Sequence, residues 1–479
     1  MLHPESPSPE LLAAATVAAD APASAETPRR GLVFAIIAVA LTMMSINGTI
    51  VATALRALQV GLDVPVNWLG WTITAYAFGF VLMLPVSGAL SDRWGRRRVF
   101  IVSVAVFTTA SLLCGFATNI QQLIALRVLQ AAGGAGFTPS ATGIVVDHFG
   151  RARDRYVGLF GSIFPVGAMI GPVLGGLFVT WWSWRTIFWV NVPIGIVIVL
   201  LALRHIPQDP PRATPAKQPF DAIGMLLLGT GIFCGMLAAT LLGNADVHLY
   251  SPSFLVPVVL ALYTLAHFFH HIRRVRAPFI LPRLIHGQGF GQVNLVNVVY
   301  GGVPSGVAAL VPLYAANRYG INALHAGTLL IAQAAAAFTL SFLAAMFLRK
   351  TGYRMPIRVG GVVMACGVLL LTLAPPAGIT PWLWLAGATL LVGAGGGALN
   401  PASRNAGLQL APEHSATLAS LRSMSMQIGA ITTVSIATAI LAASSHPGLA
   451  QAGVYTGAAL VLLVALPLVG RIPEHHGAW

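Results

Sequence analysis

The sequence predicts an all-α membrane protein that crosses the bilayer many times, and three observations carry that expectation. The chain of 479 residues is 56% hydrophobic but only 8% charged, whereas soluble proteins carry about 25% charged residues. Uncharged apolar runs recur along it, most reaching the roughly 20 residues a helix needs to cross a ~30 Å hydrocarbon core. The basic residues, which leave a net charge of +14, punctuate these runs. They do not form the continuous stripe that nucleic acid would require.

Residues 1–30 are rich in Pro, Ala and Ser, hold four acids and end in Arg29-Arg30. That composition predicts a disordered cytoplasmic tail. Leu32 to Leu55 is 24 uncharged residues, too long for the apolar core of a secretion signal and long enough to span. Fourteen spans follow from the same reading, at about 32–55, 68–91, 99–118, 120–146, 156–180, 187–203, 222–243, 251–269, 290–316, 324–348, 359–374, 382–402, 417–443 and 449–470. They divide the chain into a first six-helix bundle (31–205), a proline-rich cytoplasmic linker (206–220), two inserted spans (221–272), a cytoplasmic loop (273–288), a second six-helix bundle (289–471) and a tail (472–479). With both termini inside, 22 of the 27 Lys and Arg fall in cytoplasmic segments. Only Arg56, Arg185 and Arg318 lie outside, and Arg127 and Arg422 lie within spans. Dropping one span would scramble this separation. The tryptophans Trp68, Trp71, Trp181, Trp182, Trp184, Trp189, Trp382 and Trp384 gather at the opposite interface, as amphipathic rings do. Cys114, Cys234 and Cys366 each lie inside an apolar run and read as buried small hydrophobes.

Between the second and third spans, Gly88 to Phe100 reads GALSDRWGRRRVF. A loop this short forces an antiparallel hairpin, and its arginines hold it on the cytoplasmic side. Its spacing, G-x-L-x-D-R-x-G-R-R-R, resembles the loop signature of the major facilitator superfamily. The echo Arg349-Lys350-Thr351-Gly352-Tyr353-Arg354 places Gly352 against Gly95 and Lys350 against Arg93, as a duplicated half would. GAMIGPVLGG, with Gly167, Gly171 and Gly175 four apart and followed by Gly176, offers a close-packing face that Pro172 can kink. It is similar to the signature of antiporters in that superfamily. LIALRVLQAAGG, holding Arg127 and Gln130, resembles the family's R-x-x-Q-G pattern with Ala131 in place of the glycine. WSWRTIFWVNVPIG from Trp182, the set Trp71, Tyr76, Pro85 and Gly88, and RVRAPFILPRL from Arg274 resemble hallmarks of the fourteen-span drug/proton antiporter branch.

The resemblance implies a major facilitator fold of two six-helix bundles plus two inserted transmembrane helices. It implies a multidrug-efflux type of transporter that exports small amphipathic compounds by alternating access, in a bacterial inner membrane. No nucleotide motif is present, no cofactor is implied, and the drive would be an ion gradient. The partners implied are a small-molecule substrate, the lipid bilayer and, where the ion is a proton, protons; nothing in the sequence speaks to a periplasmic adaptor. A transport cavity is expected from Asn47, Tyr76, Arg127 and Gln130 in the first half and Asn294, Asn297 and Gln333 in the second, since polar groups on cavity-forming spans normally face one another or water. Gly88, Asp92, Arg93, Gly95 and Arg96 are the conformational latch that the loop signature implies.

One departure from the branch is plain. Its first span typically reads L-D-x-T-I-V, and here Ile46-Asn47-Gly48-Thr49-Ile50-Val51 has an amide in place of the acid. Asparagine does not titrate in the physiological range, and no other carboxylate falls at mid-membrane depth. Asp63, Asp221 or His325 at the membrane edge are the remaining candidates for proton coupling. An alternative is therefore a facilitator of a neutral or anionic metabolite without proton antiport. A remote one is a membrane di-iron oxidoreductase, suggested by His267, His270 and His271. Such an enzyme needs more ligands than the scattered histidines supply. The glycine run Gly393–Gly397 lacks the Lys-Ser/Thr of a phosphate loop and reads as close packing.

The topology is testable. A reporter fused after Gly243 should report the outside and one fused after Arg276 the inside; both on one side would remove the inserted pair.

Overall fold

In a bilayer an uncharged run satisfies its backbone by forming a helix, and every run named above is helical in the computed structural model. The structure describes residues 27–149, 153–209, 221–242, 244, 246–276, 278, 280–287, 289–408, 410, 415–472 and 474. Most of the expected N-terminal tail and linker, and the side chains of Pro85, Asp92, Arg93 and Arg349, lie outside that description.

The first half comprises α1 (Thr27–Leu62), α2 (Trp71–Trp94), α3 (Arg96–Gly115), α4 (Ile120–Ala135), α5 (Phe137–His148), α6 (Arg153–Trp181) and α7 (Asn191–His205). α8 (Ala222–Leu242) and α9 (Pro252–Ile272) are the inserted pair. The second half begins with α10 (Phe290–Val296), which runs through a π-helical turn at Asn297–Gly302 into α11 (Val303–Tyr319). It continues with α12 (Ala323–Thr351), α13 (Arg354–Thr372), α14 (Pro381–Leu408), α15 (Ser415–Ala442) and α16 (Pro447–Val464). Twelve helical stretches among the described residues are long and apolar enough to cross a membrane. The two runs that keep this below fourteen are the fourth, split into α4 and α5, and the fifth, which supplies only the shorter apolar stretch Val166–Trp181.

The split in the fourth run has a local cause. Pro139 has no N–H to offer the Ala135 carbonyl, so the helix breaks at Gly136. Ser87 on α2 donates to that freed carbonyl at 3.0 Å, and the Ser140 hydroxyl donates back to the Gly136 carbonyl. The break is thus repaired from a neighbouring helix.

Within the first half α1 packs on α6, α2 and α3 on α4, and α7 on α3. Within the second, α12 and α13 flank α14, and α15 packs on the π-helical turn and on α11. α8 and α9 pack together along the flank where α2 meets α15. There Val81, Leu228, Phe268, Leu421 and Met424 share one apolar cluster. At the tryptophan end Trp71 Nε1 donates to Thr240 Oγ1 at 2.5 Å, and Asn67 Nδ2 to the Thr240 carbonyl at 3.0 Å.

The two halves share a core at that end. Ile50, Leu55 and Leu58 of the first half share a core with Leu310, Leu313, Val434 and Ala437 of the second. A Cβ on Gly176 would lie 2.8 Å from the Ala323 carbonyl oxygen. By contrast, the core holding Val33, Ile36, Phe100, Val145 and Ile206, at the arginine end, draws only on first-half residues.

At the arginine end each half carries the same fastening. α3 starts after Gly95, at φ +97°. The N–H groups of Arg96 and Arg97 donate to the Asp209 carboxylate at 2.8 and 3.1 Å. α13 is capped by Tyr353, which follows Gly352 at φ +66°, and the N–H groups of Tyr353 and Arg354 donate to Glu474 at 2.5 and 3.3 Å. In each case the acid follows the last span of its own half. A helix N-terminus presents unpaired N–H groups and a partial positive charge, so a carboxylate is the group that suits it. Gly95 is required twice over: its φ is strained for an L-residue, and a Cβ there would collide with the Asp209 carboxylate.

The fastening predicts a graded loss. Asp209→Ala removes a cap of about 0.5–2 kcal/mol, whereas Asp209→Asn keeps an acceptor and loses less. Thermal midpoints of the purified variants should fall in that order, wild type above Asn above Ala.

Candidate substrate site

About two and three turns into α4 from its Asn119 cap, Arg127 and Gln130 stand three residues apart and so share one helix face. α1 brings Asn47 to that face, α2 brings Thr72 and Tyr76, and α3 brings Ser111. Asn47 and Gln130 are 0% exposed and Arg127 2%. The Arg127 guanidinium donates from Nε to the Thr72 carbonyl at 2.9 Å and from Nη1 to Gln130 Oε1 at 2.5 Å. Gln130 Nε2 in turn donates to Ser111 Oγ at 2.6 Å and to Asn47 Oδ1 at 3.1 Å. The Tyr76 ring lies under the guanidinium, 4.3 Å from its carbon, and Phe188 lies 5.9 Å away. The charge is therefore met by carbonyl dipoles and π faces. Among the described residues no carboxylate pairs with it.

Two polar atoms in this cluster, Asn47 Nδ2 and the Tyr76 hydroxyl, make no well-formed hydrogen bond and have at most each other within reach. An unmet buried polar group costs about 1–3 kcal/mol, and a guanidinium within a span at least ~2.5 kcal/mol. Groups held at that cost normally serve a ligand or a switch. Both groups can donate, and they adjoin a fixed cation, so a carbonyl or an anionic group is the chemistry that completes them.

The second-half candidates are placed apart. Asn297, in the π-helical turn, is buried and accepts from Ser403 Oγ of α14 at 2.6 Å. Asn294 donates to the carbonyls of Leu284 and Ile285 at 2.9 and 3.1 Å, which ties down the single-turn helix Pro282–His286. Gln333 lies on α12 where Gly393 of α14 passes its backbone, and its Oε1 is buried without a partner. The four first-half candidates thus form one site, and the three second-half ones do not join it by any hydrogen bond among the described residues. Ser111, the Thr72 carbonyl, Phe188 and Ser403 are partners the sequence reading omitted. Single hydroxyls and carbonyls in apolar runs carry no pattern that marks them.

The glycine face of α6 seats on α1. A Cβ on Gly167 would lie 2.5 Å from that of Ser45, one on Gly171 2.9 Å from the Ile46 carbonyl oxygen and one on Gly175 2.6 Å from that of Ile50. Ser45 Oγ donates to the Phe164 carbonyl across the same contact at 2.7 Å. Further along, the Pro172 carbonyl packs against Gly327 of α12. Of the latch residues, Gly88 borders open space and Arg96 Nε lies 3.2 Å from Asp147 of α5. The side chains of Asp92 and Arg93 lie outside the described residues.

His271 Nε2 lies 2.7 Å from Asp221 Oδ1, tying the ends of the inserted pair. The His267 and His270 rings are 6.5 Å apart. Among the described residues no group of three or more His, Cys, Asp or Glu could hold a metal ion, so a di-iron centre finds no ligand set there. The run Gly393–Gly397 packs closely as expected: a Cβ on Gly395 would lie 2.7 Å from the Met364 nitrogen of α13.

Known proteins share this architecture. The chain is 30% identical over 345 residues to the multidrug transporter protein MdtP of Bacillus subtilis (strain 168), covering 72% of this chain and 63% of MdtP. It is 30% identical to a multidrug resistance protein B homolog of Mycobacterium tuberculosis (strain ATCC 25618 / H37Rv), covering 84% and 74%. The chain thus spans about two thirds of the length of such relatives. In fold it is similar to a bacterial homolog of the human lysosomal transporter Spinster in an inward-facing, occupied conformation, with a TM-score of 0.63 at 16% identity over 95% of this chain and 100% of that one. Residues 33–433 match the family profile of the Major Facilitator Superfamily; the chain is a multi-pass membrane protein of that superfamily.

Proposed function

We propose that this protein is a secondary active exporter of small amphipathic compounds of neutral or anionic character. The observation that carries the reading is Arg127, buried among amides, a hydroxyl and a phenol ring with no carboxylate beside it among the described residues. A lipophilic cation entering such a site would meet a like charge in a low dielectric and no acid to pair with. A carbonyl or carboxylate would instead find the Asn47 amide and the Tyr76 hydroxyl, two donors that make no well-formed bond of their own. Export as the direction rests on the likeness to proteins named as multidrug transporters, together with the α6 glycine face, along which the bundle rocks.

The transport cycle is alternating access. The core shared at the tryptophan end, and the single-half core at the arginine end, suit a state closed to the outside and open to the cytoplasm. Fourteen spans, cytoplasmic termini and a bacterial inner membrane complete the proposal. The drive is an ion gradient, coupled through a site other than the first-span position where Asn47 stands. The absence of that acid also favours a second reading, a facilitator that moves a neutral or anionic metabolite without proton antiport. Transport into inverted vesicles, with neutral, anionic and dicationic probes and with or without a pH gradient, separates the two.

Two outcomes follow. A dicationic dye should be a poor substrate at every pH in cells lacking their own pumps. Robust pH-driven efflux of that dye, surviving replacement of Asp63, Asp221 and His325, would show that the charge argument fails. Asn47→Asp should do the reverse, because it sets a carboxylate about where Oδ1 now lies, 3.5 Å from Arg127 Nη1. Anion export should fall roughly tenfold or more, as expected when a charge-assisted bond of ~1.5–3 kcal/mol is diverted to an internal partner, while pH-dependent export of the dication rises. Unchanged selectivity in Asn47→Asp at normal protein levels would remove the cluster from the substrate path.

A further inference from the structure

A second embedded arginine lies in the other half, and its surroundings are chemically simpler. On α14, Asn400 and Arg404 are four residues apart and so share a face; on α15, Arg422 reaches across to them. Arg422 Nη2 donates to Asn400 Oδ1 at 2.6 Å, and its Nε is buried with no partner. Asn400 and Arg404 are exposed and Arg422 is half-buried. Among the described residues no carboxylate forms an ion pair with either arginine. The three sit between two packed sides of α14, one where Gly397 meets Ala337 of α12 and one where Ser403 meets Asn297. Arg404 is four residues from the end of α14 at Leu408, so the cluster is reached from the arginine end of the bundle.

Arg404 stands near enough to Arg422 to act on it as a like charge, and two guanidinium groups without a counter-ion repel each other, more so on the side of Arg422 that is turned away from water. Asn400 does not relieve it, since an amide oxygen carries only a dipole. It does fix Arg422 in place, leaving the Nε edge of a planar fork unfilled. A fork of that kind matches a carboxylate, sulfonate or phosphate oxygen pair. The free Asn400 amide nitrogen adds a further donor beside it.

We infer that Asn400, Arg404 and Arg422 form a second anion site, which takes the acidic head of an amphiphile entering from the arginine end. As a station for a transported compound the site rests on the export reading above; as a binding site it does not. A membrane phospholipid presents the same head-group chemistry as an anionic substrate.

The test is binding to the purified full-length chain in nanodiscs, with protein-free discs subtracted. The probe is 8-anilinonaphthalene-1-sulfonate, and N-phenyl-1-naphthylamine serves as its uncharged counterpart. Arg422→Gln should weaken sulfonate binding about tenfold or more, and Arg404→Gln by less. Arg422→Lys, which keeps the charge but not the fork, should fall between wild type and Gln and guards against misfolding. The uncharged probe should bind all four proteins alike. Equal sulfonate affinity in wild type, Arg404→Gln and Arg422→Gln would overturn the site.

Discs of phosphatidylglycerol and of phosphatidylcholine tell the sources apart. Arginine-dependent competition by phosphatidylglycerol assigns the site to lipid, and equal sulfonate affinity in both discs assigns it to a soluble anion. Vesicle transport then separates this inference from the export reading. Arginine-dependent binding with no anion export keeps the site and removes export. Anion export with the same KM in wild type and Arg422→Gln keeps export and removes the site from its path.

Discussion

A guanidinium inside a helix bundle, with no acid beside it among the described residues, sets terms for everything around it. Arg127 can be held there only if its N–H groups and its charge are answered by other means, and four different helices contribute the answer. α2 gives a backbone carbonyl and the Tyr76 ring, α4 gives Gln130, α1 gives Asn47 and α3 gives Ser111 through Gln130. Moving any of these helices by an ångström would strand a charge in a low dielectric. The cluster therefore fixes the register of the first bundle as well as the chemistry at its centre.

Against that fixed polar centre, the contacts that join the halves are of another kind. They consist of aliphatic side chains and close glycine approaches, in which few polar groups must be re-paired when the halves shift. Gly176 against Ala323 and Gly327 against Pro172 bring backbone to backbone, and dispersion at such contacts depends steeply on distance. A seam of this sort can open in one step at modest cost, whereas the Arg127 cluster cannot. Rigid halves and a separable seam are what alternating access needs of a protein.

Much of this was legible in the amino-acid sequence because bilayer physics is unusually strict. Apolar runs had to be helices, and the distribution of arginines set which ends lie together. The Gly352 echo of Gly95 marked two comparable halves. Arg127, Gln130, Asn47 and Tyr76 could be grouped because each is a polar residue on a span where polarity is costly. The break in the fourth span was not legible, since it depends on Ser87 arriving from another helix to serve the carbonyl that Pro139 leaves free. Asn294 carried the same mark as Asn297, but its amide is used to hold the loop helix at Pro282–His286. Asp209 and Glu474 looked like residues of a linker and a tail, because only the fold brings them to helices far away in the chain. Arg404 had been counted with the cytoplasmic charges, and only α15 laid beside α14 reveals it as a neighbour of Arg422.

The paired carboxylate fastenings also bear on the order in which the protein is made. Asp209 lies 113 residues beyond the N–H of Arg96 that it accepts from, and Glu474 121 residues beyond that of Tyr353. During synthesis the start of α3 must wait, its N–H groups answered only by water or lipid head groups, until the sixth span of its half has been delivered. The arrival of Asp209 then closes the first half before any of the second has been translated. The second half repeats the sequence of events and is sealed by a residue that follows its last span. Each bundle thus signals its own completion chemically, and a ribosome stalled just short of either acid would leave in the membrane six helices that are all present but not yet locked.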